Sequence, residues 1–158
     1  MILKKIPFLA LLLLLFGENT MSEESSTILP LSIADTYLQG VGLVPVDPAD
    51  MQSENVTPID DGTYTEFGPS SVHNFHTGNI MVSVFEAGPG KVRIDGAVYD
   101  EFVYVLEGRL ILTPDGGEPM EFTKGQSVIV PKGYKGIWDM PERYRELIVV
   151  DTNFLTDI

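Results

Sequence analysis

The chain has 158 residues, 44 % of them hydrophobic, which is enough for one domain around one packed core. It contains no cysteine, which excludes disulfides, thiolate metal sites and cysteine nucleophiles together. Its formal net charge is −13 with no basic stripe, so a phosphate backbone is repelled and nucleic acid is excluded as a partner; the acidity reads as a solubility feature.

Residues 1–20, "MILKKIPFLALLLLLFGENT", form an apolar leader in which Lys4 and Lys5 precede an apolar run from Ile6 to Phe16. The pattern is that of the first two regions of a secretory signal, but "FGENT" offers no small-x-small cleavage site. The run is too short for an ordinary membrane span, so no stable membrane insertion is expected. A second reading starts the protein at Met21, where "MSEESSTI" resembles a cytosolic N-terminus. In a bacterial gene Gly17 and Glu18 are encodable as GGAGAA, a ribosome-binding sequence just ahead of that codon. The start at Met21 and a cytoplasmic location are the reading adopted; export with residues 1–20 as a signal peptide is the alternative.

Residues 21–62 read as an N-terminal arm. "SIADTYLQG" predicts a short helix from Ser32, with Ser32 as N-cap, Asp35 at the capping-box position and Gly40 as the stop. From Val41 to Asp61 the chain is punctuated by Pro and Asp and reads as irregular cover. It includes the sequon "NVT" at Asn55, which matters only on a eukaryotic secretory route.

From Thr63 onward the pattern changes to short strands separated by turns. "NIMVSVFE", "KVRI", "EFVYVLE", "RLILT", "MEF", "SVIVP", "GIWDM" and "YRELIVVD" are strand-length and rich in β-branched or aromatic residues. "PDGG" between "RLILT" and "PMEF" predicts a hairpin. Many short strands at regular spacing predict an all-β sandwich or small barrel over residues 63–158.

Two spacings in this region resemble the cupin superfamily, the double-stranded β-helix or jelly-roll proteins. Glu101 and Gly108 match the E-x6-G end of the first cupin motif. Gly125, Pro131 and Gly133 in "GQSVIVPKG" match the G-x5-P-x-G of the second. The "DE" that leads into "YVLEG", and "PKGYKGIW", are similar to the ureidoglycine aminohydrolase cupin-domain subfamily, which also holds an ethanolamine-utilisation cupin. Where that subfamily often carries a lysine near the last strand, this chain has Glu146.

The resemblance implies a cupin barrel, which follows the short helix and irregular arm read above, and a set of metal positions. The family's two first-motif histidines fall on Asp95 and Ala97, and the second-motif histidine falls on Gly136. What remains is Asp95 and Glu101, two hard oxygen donors. A tight transition-metal site needs about three imidazoles and a carboxylate, so no cofactor is expected; a weakly held divalent cation is the alternative. The chain's two histidines, His73 and His76 in "SSVHNFHTG", read as polar loop residues. The sharper alternative folds that loop over the barrel mouth and makes His73, His76 and Glu101 a metal set.

The strand period of two predicts what lines the barrel. If Glu101 points inward, so do Tyr99 and Val103, and Asp95 and Arg93 as well if the intervening turn keeps parity. Trp138 and Met140 share the face of Gly136. Arg93, Asp95, Glu101, Trp138 and Met140 are therefore the candidate ligand-binding residues, with Glu101 also weighed as a structural partner of Arg93. Two functions are in view. One is a binding protein for a small polar metabolite held in the barrel. The other is a small hydrolase- or isomerase-type cupin enzyme with Glu101 as acid or base, its pKa raised by burial, and Tyr99 as second proton donor. A homodimer is expected, because "NFLTDI" and the N-terminal arm could cross between subunits and cover a sheet edge.

Overall fold

In the computed structural model the described residues are 28–48, 53–64 and 68–153. The leader, most of the Ser/Glu-rich start of the arm and "FLTDI" lie outside them. The described residues build one short helix, α1 (Asp35–Leu38), and eleven strands. These are β1 (Val44–Pro45), β2 (Val56–Pro58), β3 (Ser70–Thr77), β4 (Ile80–Ala87), β5 (Gly90–Asp95), β6 (Glu101–Glu107), β7 (Arg109–Pro114), β8 (Met120–Thr123), β9 (Ser127–Val130), β10 (Lys135–Met140) and β11 (Tyr144–Asp151). A six-stranded sheet runs β1-β3-β4-β11-β6-β9 and a five-stranded sheet runs β2-β5-β10-β7-β8, with every pairing antiparallel.

Each inner face is written in the alternation of its strands. On β11 the buried row is Tyr144, Glu146, Ile148 and Val150; on β6 it is Val103 and Val105, following Glu101. Register keeps the rows together, with Ile148 opposite Val103 and Val150 opposite Glu101. From the other sheet Val92, Leu110, Leu112, Trp138 and Met140 join the same core. Burying these apolar side chains, at about 25 cal/mol per Å², is what holds the two sheets face to face.

The motif glycines are turn residues. Gly108 closes the β6–β7 hairpin with φ 71°, and a Cβ there would lie 2.2 Å from the Arg143 carbonyl oxygen, so two independent constraints exclude a side chain. The predicted "PDGG" hairpin joins β7 to β8, with Gly116 at φ 72°.

The N-terminal region departs from the sequence reading in three ways. First, α1 is only four residues long; its N-cap is Ala34 and no side chain caps it, so Ser32 does not start the helix. Gly40 does end it, at φ 84°. What docks the helix is Arg145. Its guanidinium is 4 % exposed, donates to Glu86 Oε2 at 2.7 Å and to the Leu38 carbonyl at 3.4 Å, and pairs with Glu107 at 2.6 Å. Gly40 leaves room for it, since a Cβ there would sit 2.7 Å from the guanidinium.

Second, the sheets begin before Thr63. β1 pairs with β3 and β2 pairs with β5, so the Pro-rich "irregular cover" supplies an edge strand to each sheet. Third, "SSVHNFHT" is strand β3 and not a loop. Its inward positions include Ser70 and Asn74, so apolar alternation is nearly absent, and a register shift between Asn74 and His76 breaks what remains. Among the described residues no helix is long and apolar enough to cross a membrane.

Candidate functional site

Between the two sheets lies a cavity of about 70 Å³. A buried water needs roughly 10–15 Å³ on the same measure, so the space suits a ligand of about five heavy atoms. Three aromatic residues, Phe85, Tyr99 and Trp138, line it, with an aliphatic wall that includes Val92, Ile94, Val130 and Met140. The polar lining is Glu101, Glu146 and Asn55. No lysine, arginine or histidine lines the cavity among the described residues.

Glu101 opens β6, is partly buried and lines the cavity. Burial raises its pKa from 4.5 to about 7, and neither a hydrogen bond nor a neighbouring cation acts against that rise. Glu146, 3 % exposed, projects from β11 between Tyr144 and Ile148. Its pKa is raised well above the usual carboxylate range, first by burial and then by the charge of Glu101. The Tyr144 hydroxyl donates to Glu146 Oε2 at 2.5 Å and opposes the rise. The two carboxyls are coupled, so the charge of one makes ionisation of the other harder. Tyr99 and Tyr144 are both pushed up by burial foremost, so both remain phenols near neutrality.

The structure brings Glu101, Tyr99, Trp138 and Met140 together around one cavity, as the strand parity predicts. It separates Arg93 and Asp95 from them. On β5 the cavity face belongs to Val92 and Ile94, which pair with Trp138 and Gly136 of β10. Arg93 pairs with Ile137 on the opposite face and forms a bidentate ion pair with Asp115, its Nη2 donating to Asp115 Oδ2 at 2.7 Å. Asp95 has a 63 % exposed side chain and pairs with Lys135 at 3.1 Å. The residues between Asp95 and Glu101 are not strand, and Gly96 has φ 92°, so the turn does not carry parity across. The Glu101–Arg93 pair weighed as a structural alternative does not form among the described residues, and Asp95 is not a second donor beside Glu101.

The fold's metal positions can be tested one at a time. Asp95 is outside, Ala97 lines the cavity without a donor atom, and Glu101 is present. Gly136 is sterically closed: a Cβ there would lie 2.4 Å from both the Thr113 carbonyl oxygen and the Tyr134 hydroxyl. A histidine at that position has no room. His73 lies on β3, paired with Val84, and stacks on Tyr37 at 3.9 Å between ring centroids. His76 is exposed on the same strand. Neither reaches Glu101, and no group of three or more His, Cys, Asp or Glu residues placed to hold a metal occurs among the described residues. Two carboxyls without an imidazole do not fit the transition-metal centre of the fold.

Sequence reasoning missed Glu146, Tyr144 and Asn55. Glu146 was legible only as a departure from a family pattern, although Tyr-x-Glu-x-Ile-x-Val in one buried strand places a charge on an inward row. Asn55, seen as a sequon, instead donates to the Gly96 carbonyl at 3.0 Å and contributes to the cavity wall.

An all-antiparallel, two-sheet barrel of this order is the double-stranded β-helix, the cupin fold. Residues 76–146, a little under half of the chain, match the family model described as the EutQ-like cupin domain. A Pseudomonas syringae pv. tomato protein of unknown function, assigned to the DUF861 family, superposes with a TM-score of 0.51 at 18 % identity, over 68 % of this chain and 43 % of that one. A putative ethanolamine utilization protein Q from Salmonella typhimurium gives 0.49 at 19 % identity, over 69 % and 96 %. The Clostridium difficile EutQ protein gives 0.48 at 21 %, over 60 % and 75 %. A comparison with curated proteins found no significant match.

Proposed function

We propose that this protein is a small-molecule-binding cupin that holds a small polar metabolite in its barrel without a tightly bound transition metal. The observation that carries the reading is the cavity itself. It is concave and largely apolar, with two convergent carboxyls, Glu101 and Glu146, and an aromatic wall from Trp138, the usual make-up of a small-ligand site. Asn55 adds an amide to the rim. Trp138 is the chain's single tryptophan, so its emission reports the cavity directly. The test is a fluorescence screen of metabolites of about five to eight heavy atoms. Saturable changes that disappear in Trp138-retaining variants with a filled cavity, such as Ala97→Leu, support the reading. A screen in which the filled variant responds as the wild type does would refute it.

A second reading is favoured by one observation: Glu101 titrates near neutrality, where a general acid or base works best. In that case Glu101 exchanges a proton with the bound metabolite and Tyr99, on the same wall, is a second donor. Turnover of a captured ligand that is lost in Glu101→Gln while binding persists would establish it.

The ureidoglycine aminohydrolase-like branch, a cytoplasmic location and a homodimer belong to the same proposal. The branch rests on "PKGYKGIW" and the location on the start at Met21. Pairing is supported by the outer face of the six-stranded sheet, where Phe102 lies opposite Ile129 at the β9 edge and both are exposed, as is Tyr104. Mass in solution at micromolar concentration tests it.

A further inference from the structure

We propose that the cavity is a receptor for a small organic cation, a compact primary or quaternary ammonium compound, held by Glu101 and Glu146 against the aromatic wall. This deepens the binding reading above and rests on it.

The first argument is charge. Each of the sheet's two inward acids faces a cavity that holds no basic side chain among the described residues. Arg93 and Arg145, the basic residues nearest in sequence to the inward rows, are both committed elsewhere: Arg93 to Asp115 on the surface and Arg145 to Glu86 and Glu107 on the outer face. Among the described residues no base supplies a counter-ion to these two acids, and charging a carboxyl in an apolar cavity without one is costly. A ligand that brings a positive charge supplies what the fold omits. An anionic ligand would meet two acids and no cation.

The second argument is the lining. An ammonium group packs favourably over the face of an aromatic ring, more strongly when water is excluded, and tryptophan is the best such partner. Trp138, Tyr99 and Phe85 surround the same space as the two carboxyls. The volume admits about five heavy atoms, which restricts the class to compact amines.

The third argument is linkage. The titratable groups facing the pair are Tyr99, from the segment before β6, and Tyr144, beside Glu146 on β11. β2, β4, β5, β9 and β10 present only neutral side chains to the cavity. Without ligand the pair holds its protons to higher pH than free carboxyls do, and a bound ammonium favours their release. Binding therefore tightens with rising pH, by about tenfold per pH unit for each proton released.

The experiment uses three probes of nearly one shape: tert-butylammonium, tert-butanol and pivalate, titrated into the full-length protein with Trp138 emission and calorimetry as readouts. At pH about 8 the ammonium probe is expected to bind at least roughly tenfold more tightly than the alcohol, with pivalate weakest. Its affinity should fall as the pH is lowered to about 6, and calorimetry in buffers of different ionisation enthalpy should show proton release. Glu101→Gln and Glu146→Gln keep the shape and should each reduce ammonium affinity by about tenfold and weaken its pH dependence. Equal binding of ammonium and alcohol overturns the cation inference and leaves the binding reading standing. Binding of none of the three, with Trp138 silent, overturns both. Should a Gln variant fail to fold, the pH dependence in the wild type still decides: a flat profile refutes the proposal.

Discussion

Replacing Glu101 by Gln should make the protein more stable at neutral and alkaline pH and leave it nearly unchanged in mild acid. The sign follows from the direction of the shift. Glu101 in the folded protein holds its proton up to about 7, against 4.5 when unfolded. Between those values the native state binds more protons than the unfolded state, so stability falls as pH rises. At about 1.36 kcal/mol for each tenfold change in proton affinity, the loss at pH 8 is roughly 3 kcal/mol. For a domain of this size that corresponds to about 10 °C in Tm. Glu146 adds a loss in the same direction, and removing the Glu101 charge makes Glu146 easier to ionise, which increases the benefit of the substitution. The assay is urea unfolding of wild type and Glu101→Gln from pH about 5 to 8, read as the difference between the two proteins. Taking the difference cancels the general self-repulsion of a chain of net charge −13, which also changes with pH. The expected difference is under about 1 kcal/mol at pH about 5 and grows to roughly 3 kcal/mol by pH 8. A difference that stays constant with pH, or a variant less stable at pH 8, would show that Glu101 is not held protonated by burial.

Three further substitutions test the frame around the site. Tyr144→Phe removes the donor to Glu146 and should cost about 1–3 kcal/mol, which urea unfolding checks. Gly108→Ala forces a side chain onto φ 71° and against the Arg143 carbonyl, and thermal melting should show a loss of about 3 kcal/mol or failure to fold. Arg145→Met leaves Glu86 and Glu107 without their buried partner. The expected cost is about 2–3 kcal/mol, reduced because Glu107 is 43 % exposed, and amide exchange should show early loss of protection in α1.

Where the sequence was legible, one physical signal was dominant. The strands "EFVYVLE" and "YRELIVVD" coincide with β6 and β11 because their inward rows alternate cleanly with outward residues. The same alternation placed Glu101, Trp138 and Met140 correctly. It failed at the Gly96 turn, since periodicity does not extend through a non-strand segment with positive φ, and so Arg93 and Asp95 were assigned to the wrong face. β3 was missed because Ser70 and Asn74 occupy inward positions where apolar residues are expected; Asn74 instead accepts from Ser83 Oγ at 3.3 Å. β1 and β2 are two and three residues long and contain proline, as edge strands tolerate and periodicity cannot detect. Glu146 was overlooked as a site residue because, within one strand, nothing local distinguishes an inward charge that meets another charge from one that meets solvent. In the β6–β11 register Glu146 lies opposite Val105 and Glu101 opposite Val150, so the two acids share a cavity only through the pairing of strands distant in sequence.

The account depends most on two glutamates that keep their protons inside the barrel and surrender them to a cationic ligand. Carboxyl carbon-13 titration of glutamate-labelled protein, free and with tert-butylammonium, tests this directly. Two resonances, each removed by one of Glu101→Gln and Glu146→Gln, should titrate above the usual carboxylate range in the free protein, that of Glu101 at pH about 7, and move to lower pH with the ligand. If every glutamate titrates between about 4 and 5, or the ligand moves neither midpoint, the barrel is not an acidic receptor and the account is wrong.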